Sequence, residues 1–167
     1  LESTRCWFGG GCRLALDLGR HRTSRDLDFL CADAEGYRAL RSAVHDQGYA
    51  ALFGASVGSV DLPREIRADA YGVRFPVRVG DATVRVELVR EARVTLHEPA
   101  RVAWTEAPCL AIVDCYTEKL LANADRGADP DELSRDLVDL AALRLSHGPV
   151  PDTAWAAATG AYGASVR

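Results

Sequence analysis

The sequence predicts an α/β fold of the α+β kind: a short mixed sheet flanked by helices, with a helical C-terminal part. Three observations carry this expectation. Strand-like runs lie near residues 5–8, 26–31, 72–79 and 83–90, the second and fourth alternating apolar and polar positions. Segments of helical period separate or follow them, and the last third of the chain carries only such segments. A run of three glycines, Gly9, Gly10 and Gly11, joins the first strand to the first helix. The 167 residues fit one compact unit, with residues 1–106 forming the α/β core and residues 107–167 a helical part packed on it.

The first strand ends at Phe8, and the helix after the glycines buries Leu14, Ala15 and Leu18 before Gly19 stops it. Asp26 to Cys31 reads as the second strand, in which Asp26 and Asp28 project to one face and Leu27 to the other. Gly36 to Gln47 is an amphipathic helix with Tyr37, Leu40 and Val44 inward and Gly48 as its stop. Residues 49–62 read as a strand followed by a loop. Tyr71–Val79 and Thr83–Arg90 form a hairpin about Gly80-Asp81, and residues 93–105 suggest one more strand broken at Pro99. Pro108 is expected to open a helix from about Cys109 to Asp125. Asp129, with Pro130 and Glu132 behind it, caps the next, whose core side is expected to hold Leu133, Leu137, Leu140 and Ala141. A short helix containing Trp155 closes the chain.

Composition sets outer limits. At 48% hydrophobic and 26% charged the chain is of ordinary globular make-up, and no apolar run nears the roughly 20 residues of a membrane span. With no signal peptide visible, a cytoplasmic location is the default. Cys6, Cys12, Cys31, Cys109 and Cys115 show no zinc spacing and are expected to be buried thiols. The net charge of −4 argues against a wholly basic nucleic-acid-binding surface, yet residues 1–25 hold five arginines against Glu2 and Asp17. Nineteen arginines accompany a single lysine, Lys119. Arginine does not replace a compact ammonium where a point charge must reach phosphate, so Lys119 is a candidate functional residue.

The chemistry concentrates in residues 6–31. Glycines at a strand-to-helix turn leave backbone N–H groups free to approach phosphate. The paired carboxylates Asp26 and Asp28 repel one another unless a cation lies between them, and hard oxygen ligands suit Mg²⁺. On its own, a D-x-D pair equally describes a solvated strand edge.

Gly10-Gly11, Leu14-Ala15-Leu16, the Arg- and His-rich loop, Ser24 and Asp26-Leu-Asp28-Phe together resemble the signature of the nucleotidyltransferase superfamily, and within it the AbiEii/AbiGii toxin family. The resemblance implies a nucleotidyltransferase fold and transfer of a nucleoside monophosphate from an NTP to a hydroxyl, with Mg²⁺ held by Asp26, Asp28 and a third acid on a later strand. Glu87, in Val-Glu-Leu, matches that third position, and Glu91 is the fallback. Gly9, Gly10 and Gly11 are expected to grip the triphosphate, and Arg25 to stand beside it. Lys119 and Asp136 match the family's later helices, where a lysine meets the nucleotide and an R-D-x-x-D-L segment, here Arg135 to Leu140, ends the core. The implied partners are an NTP, an RNA acceptor such as tRNA, and a cognate antitoxin.

Two features depart from the family pattern. Cys12 stands where Ser or Thr commonly follows the glycines, and Leu1 lies directly before the first strand without the usual preceding helix. Two other readings stay open: an antibiotic-modifying nucleotidyltransferase of the aminoglycoside or lincosamide type, which Arg22 to Asp28 also fits, and a non-catalytic binding module that keeps the fold.

Overall fold

A computed structural model describes residues 4–127 and 134–166. Seven strands form one mixed sheet in the order β3-β4-β5-β2-β1-β7-β6. The chain enters at its centre: β1 (Cys6–Gly9) leads into α1 (Gly10–Asp17), and β2 (Asp26–Cys31) returns antiparallel beside β1. Next come α2 (Ala34–Gln47) and a short α3 (Ala50–Phe53), which runs into a 3-10 turn. The strands β3 (Arg67–Ala68), β4 (Gly72–Val79) and β5 (Ala82–Arg90) build one wing, with β5 parallel to β2. The hairpin β6 (Ala100–Val102) and β7 (Thr105–Cys109) builds the other wing, with β7 parallel to β1. The helices α4 (Ile112–Arg126), α5 (Arg135–His147) and α6 (Asp152–Tyr162) complete the fold.

Alternation along the strands divides the core in two. On one face Val73, Phe75, Val86 and Leu88 pack beneath Tyr37, Leu40 and Val44 of α2. On the other, Trp7 and Leu30 meet Leu14, Cys115, Tyr116, Leu143 and Ala154 from α1 and the C-terminal helices. Asp33 starts α2 by accepting a 2.6 Å hydrogen bond from the Gly36 amide, and Gly48 ends it at φ +57°.

Four expectations change. Residues 50–59 coil into α3 and the 3-10 turn, where Tyr49 and Phe53 pack edge-on to Phe75, so aromatic packing replaces the expected strand. Pro108 lies inside β7, and its helix begins only at Ile112. Proline suits a strand as readily as a first helical turn when no partner needs its N–H. On α5, Leu137 and Ala141 are exposed, while Asp136, Asp139 and Leu143 face inward. Buried cations satisfy those carboxylates and set the helix phase against its apolar positions. Cys6 and Cys31, expected as thiols, stand opposite one another across β1 and β2 and are paired as a disulfide, while Cys12, Cys109 and Cys115 are free. The cap at Asp129 and the core position of Leu133 lie outside the described residues.

Candidate active site

Two adjacent parallel strands place the acidic groups. The β2–β5 register sets Asp26 beside Arg85 and Asp28 beside Glu87, all four on the face that α1 and α4 partly cover. Arg85 lies 2.9 Å from Asp26 and 3.2 Å from Glu87, so one guanidinium bridges the outer carboxylates. Asp28 sits deeper. Burial first, then the charges of Glu87 and Asp26, push its carboxyl up to about 6. Among the described residues no three acidic, histidine or cysteine groups converge on one point, and Arg85 holds two of the carboxylates. The donor set nevertheless fits a hard divalent cation: three carboxylates, one unwilling to ionise without further positive charge.

The glycines meet this cluster from β1. Gly10, at φ +67°, packs against Asp28 so closely that a Cβ would collide with the carboxylate. Gly11 packs the same way against the Arg22 guanidinium. Both line a cleft of about 310 Å³ that also admits Ser24, Asp26, Asp28, Glu87 and Lys119. Their amides belong to the unpaired first turn of α1, where an anion is favoured. Gly9 does not line the cleft. It closes β1 opposite Asp28, and a Cβ there would meet Leu110 at 2.5 Å, so its role is packing. Burial, then Asp28, raises the Cys12 thiol above its ordinary range, which keeps a further negative charge away from this turn.

Lys119 reaches the cleft from α4, buried among acids. Its Nζ lies 2.9 Å from Asp136 and 2.8 Å from Asp139. Asp139, with no exposed surface, also accepts two hydrogen bonds of 2.6 Å from Arg22 and faces His21 at 2.9 Å. Burial alone would raise its pKa; the Arg22 hydrogen bonds, Lys119 and His21 outweigh it and hold the group at about 2. Asp136 is likewise held low against its burial by Arg126 and Lys119. Neither aspartate lines the cleft. Both fix the cations that do, so Asp136 is a positioning residue.

Of the predicted residues, the fold therefore gathers Gly10, Gly11, Asp26, Asp28, Glu87 and Lys119. Arg25 is exposed and outside the cleft lining, because strand alternation turns it away from Asp26 and Asp28; Arg22 takes that place. Glu91 shares the cleft but is tied to Arg93 at 2.6 Å, and Arg93 also holds Glu118 at 2.8 Å. Asp136 and Asp139, three apart on one helix face, meet Lys119 as their spacing allows; the sequence reading missed Arg85 and the ties of Asp139 to Arg22 and His21. Strand register is the only signal for the first, and the second lay in the R-D-x-x-D-L segment.

Along residues 1–166 the chain matches the family model described as nucleotidyl transferase AbiEii toxin, type IV TA system. The chain belongs to this AbiEii family. It is thus a nucleotidyltransferase of the toxin–antitoxin class, and the cleft is the candidate site of an AbiEii-type enzyme. A crystal structure of a provisionally assigned nucleotidyltransferase from H. pylori is similar at 18% identity and a TM-score of 0.44, over 95% of this chain and 85% of that one. No curated protein matches. Among the described residues, no helix is long and apolar enough to cross a membrane.

Proposed function

We propose that this AbiEii-family chain moves a nucleoside monophosphate from an NTP to a hydroxyl of an RNA acceptor such as tRNA, using Mg²⁺, as a cytoplasmic toxin countered by a cognate antitoxin. The supporting observation is one cleft lined by three carboxylates, by Lys119 and by the Gly10-Gly11 turn that packs against Asp28. Asp26, Asp28 and Glu87 would hold Mg²⁺, which supplies charge neutralisation and lowers the pKa of the attacking hydroxyl. The Gly10 and Gly11 amides and Lys119 bind triphosphate oxygens and offset charge as pyrophosphate departs. The acceptor oxygen bonds to the α-phosphorus, the bond to the bridging oxygen of pyrophosphate breaks, and the hydroxyl proton passes to a carboxylate oxygen of Glu87 or Asp28.

The test incubates the protein with Mg²⁺, each α-labelled NTP in turn and total tRNA, beside the Asp26→Ala, Asp28→Ala double variant. Label on RNA with one NTP, absent from the variant, supports the reading and names the donor. No label with any NTP and no Mg²⁺-dependent NTP binding would leave a binding module that keeps the fold.

A further inference from the structure

The active-site face of the sheet continues past the cleft onto β4 and β3, where the C-terminal helices give way to a groove of about 920 Å³. Five arginines line it against two glutamates, in a chain whose net charge is −4. The groove shares Arg85 and Glu87 with the cleft, so the two are continuous. Its floor is set by register. Arg74, Pro76 and Arg78 of β4 lie across from Glu87, Arg85 and Thr83, and Arg67 of β3 stands directly opposite Arg74. Like charges facing each other across two strands destabilise the pair unless an anion lies over them. Arg74 has acids within reach, Asp69 at 3.2 Å and Glu87 at 3.9 Å, and Arg78 has Asp61 at 3.8 Å. Arg64 and Arg67 have no acidic partner among the described residues and are exposed.

We propose that this groove is the track of the acceptor RNA, with Arg64, Arg67, Arg74 and Arg78 contacting its phosphates and Arg85 at the seam where the reacting hydroxyl enters the carboxylate cluster. The inference rests on the RNA-acceptor reading above and locates it. Arg74 and Arg78 are four residues apart on one strand, about 13 Å, so the contacts spread over more than one phosphate. Guanidinium groups pair bidentately with phosphate oxygens, and the same lining repels a polycation such as an aminoglycoside.

The test measures binding of fluorescently labelled total tRNA by anisotropy over a range of salt, without NTP. In the Arg64→Glu, Arg67→Glu double variant the affinity should fall by at least about tenfold and the salt slope shrink by one to two phosphate contacts, with the milder Arg64→Gln, Arg67→Gln pair giving a smaller loss in the same direction. Arg38→Glu, on α2 across the sheet, should leave tRNA affinity unchanged. In the transfer assay the groove variants should raise KM for tRNA and not for NTP. Unchanged affinity and salt slope in both double variants would overturn the proposal, as would an equal loss in Arg38→Glu or a parent protein that does not bind tRNA. NTP binding read separately, with Asp26→Ala, Asp28→Ala as its negative control, distinguishes failure of the groove from failure of the catalytic reading.

Discussion

Asp28 and Glu87 stand directly across from each other on the parallel strands β2 and β5, and this places two carboxylates side by side in a partly buried cleft. The consequence is a carboxyl at Asp28 that rests at about 6 instead of 3.8. A raised carboxyl pKa costs stability whenever the group is ionised: the penalty is absent below the unfolded value and complete above the folded one. For the shift from 3.8 to about 6 it reaches up to about 3 kcal/mol at neutral pH. Asp28→Asn is therefore expected to raise the melting temperature of the metal-free protein at pH 7.5, with no gain near pH 3.5. The parent is expected to gain stability from Mg²⁺, and the same variant to lose that gain. Thermal melts at both pH values, with and without Mg²⁺, check both statements.

Asp139 has the opposite sign. Its carboxyl is held at about 2, so its contribution is complete above 3.8 and disappears as pH falls toward 2. Asp139→Asn leaves Arg22, Lys119 and His21 sharing a neutral amide, and is expected to cost about 3 kcal/mol at pH 7. Urea unfolding at pH 7, 4 and 2.5 should show that cost shrinking with acidification.

Lys119 is fixed by two buried carboxylates as a point charge at the cleft wall. If Lys119 binds triphosphate as proposed, Lys119→Met is expected to lower kcat/KM by roughly 10²–10³-fold. Lys119→Arg should not restore the rate, since a planar fork does not fit a site shaped round a single ammonium. Steady-state kinetics with the NTP that labels RNA decide between them.

Gly10 and Gly54 both have positive φ, +67° and +53°, but only Gly10 abuts a carboxylate, while nothing lies within 4 Å of a Cβ at Gly54. Alanine at either position carries backbone strain of about 1–2 kcal/mol. Gly10→Ala should in addition displace Asp28 and abolish Mg²⁺-dependent NTP binding, which Gly54→Ala should keep. Calorimetric titration of NTP into both variants reads the difference.

Much of this was legible in the chain because the signals are local. The strand pair around Gly80-Asp81, the helix from Ala34 to Gln47 and the shared face of Asp26 and Asp28 follow from alternation, periodicity and glycine placement over a few residues. Glu87 is a candidate because its apolar flanks match the third acidic position of the resembled family, and Lys119 because it is the only lysine and matches a family helix.

What the sequence by itself determined is therefore the strands β1, β2, β4 and β5, the helices α1 and α2, and the shared face of Asp26 and Asp28. Tertiary structure alone decided which of them meet. Register between β2 and β5, 59 residues apart at Asp26 and Arg85, set that arginine over the carboxylates. The docking of α5 exposed Leu137, which helical periodicity places inward, and it turned Asp136 and Asp139, which share one helix face, against Lys119. The physical reason is that a local pattern reports each segment's own apolar face. Pairing of buried charges and of strands depends on long-range contacts, whose energies no single segment carries.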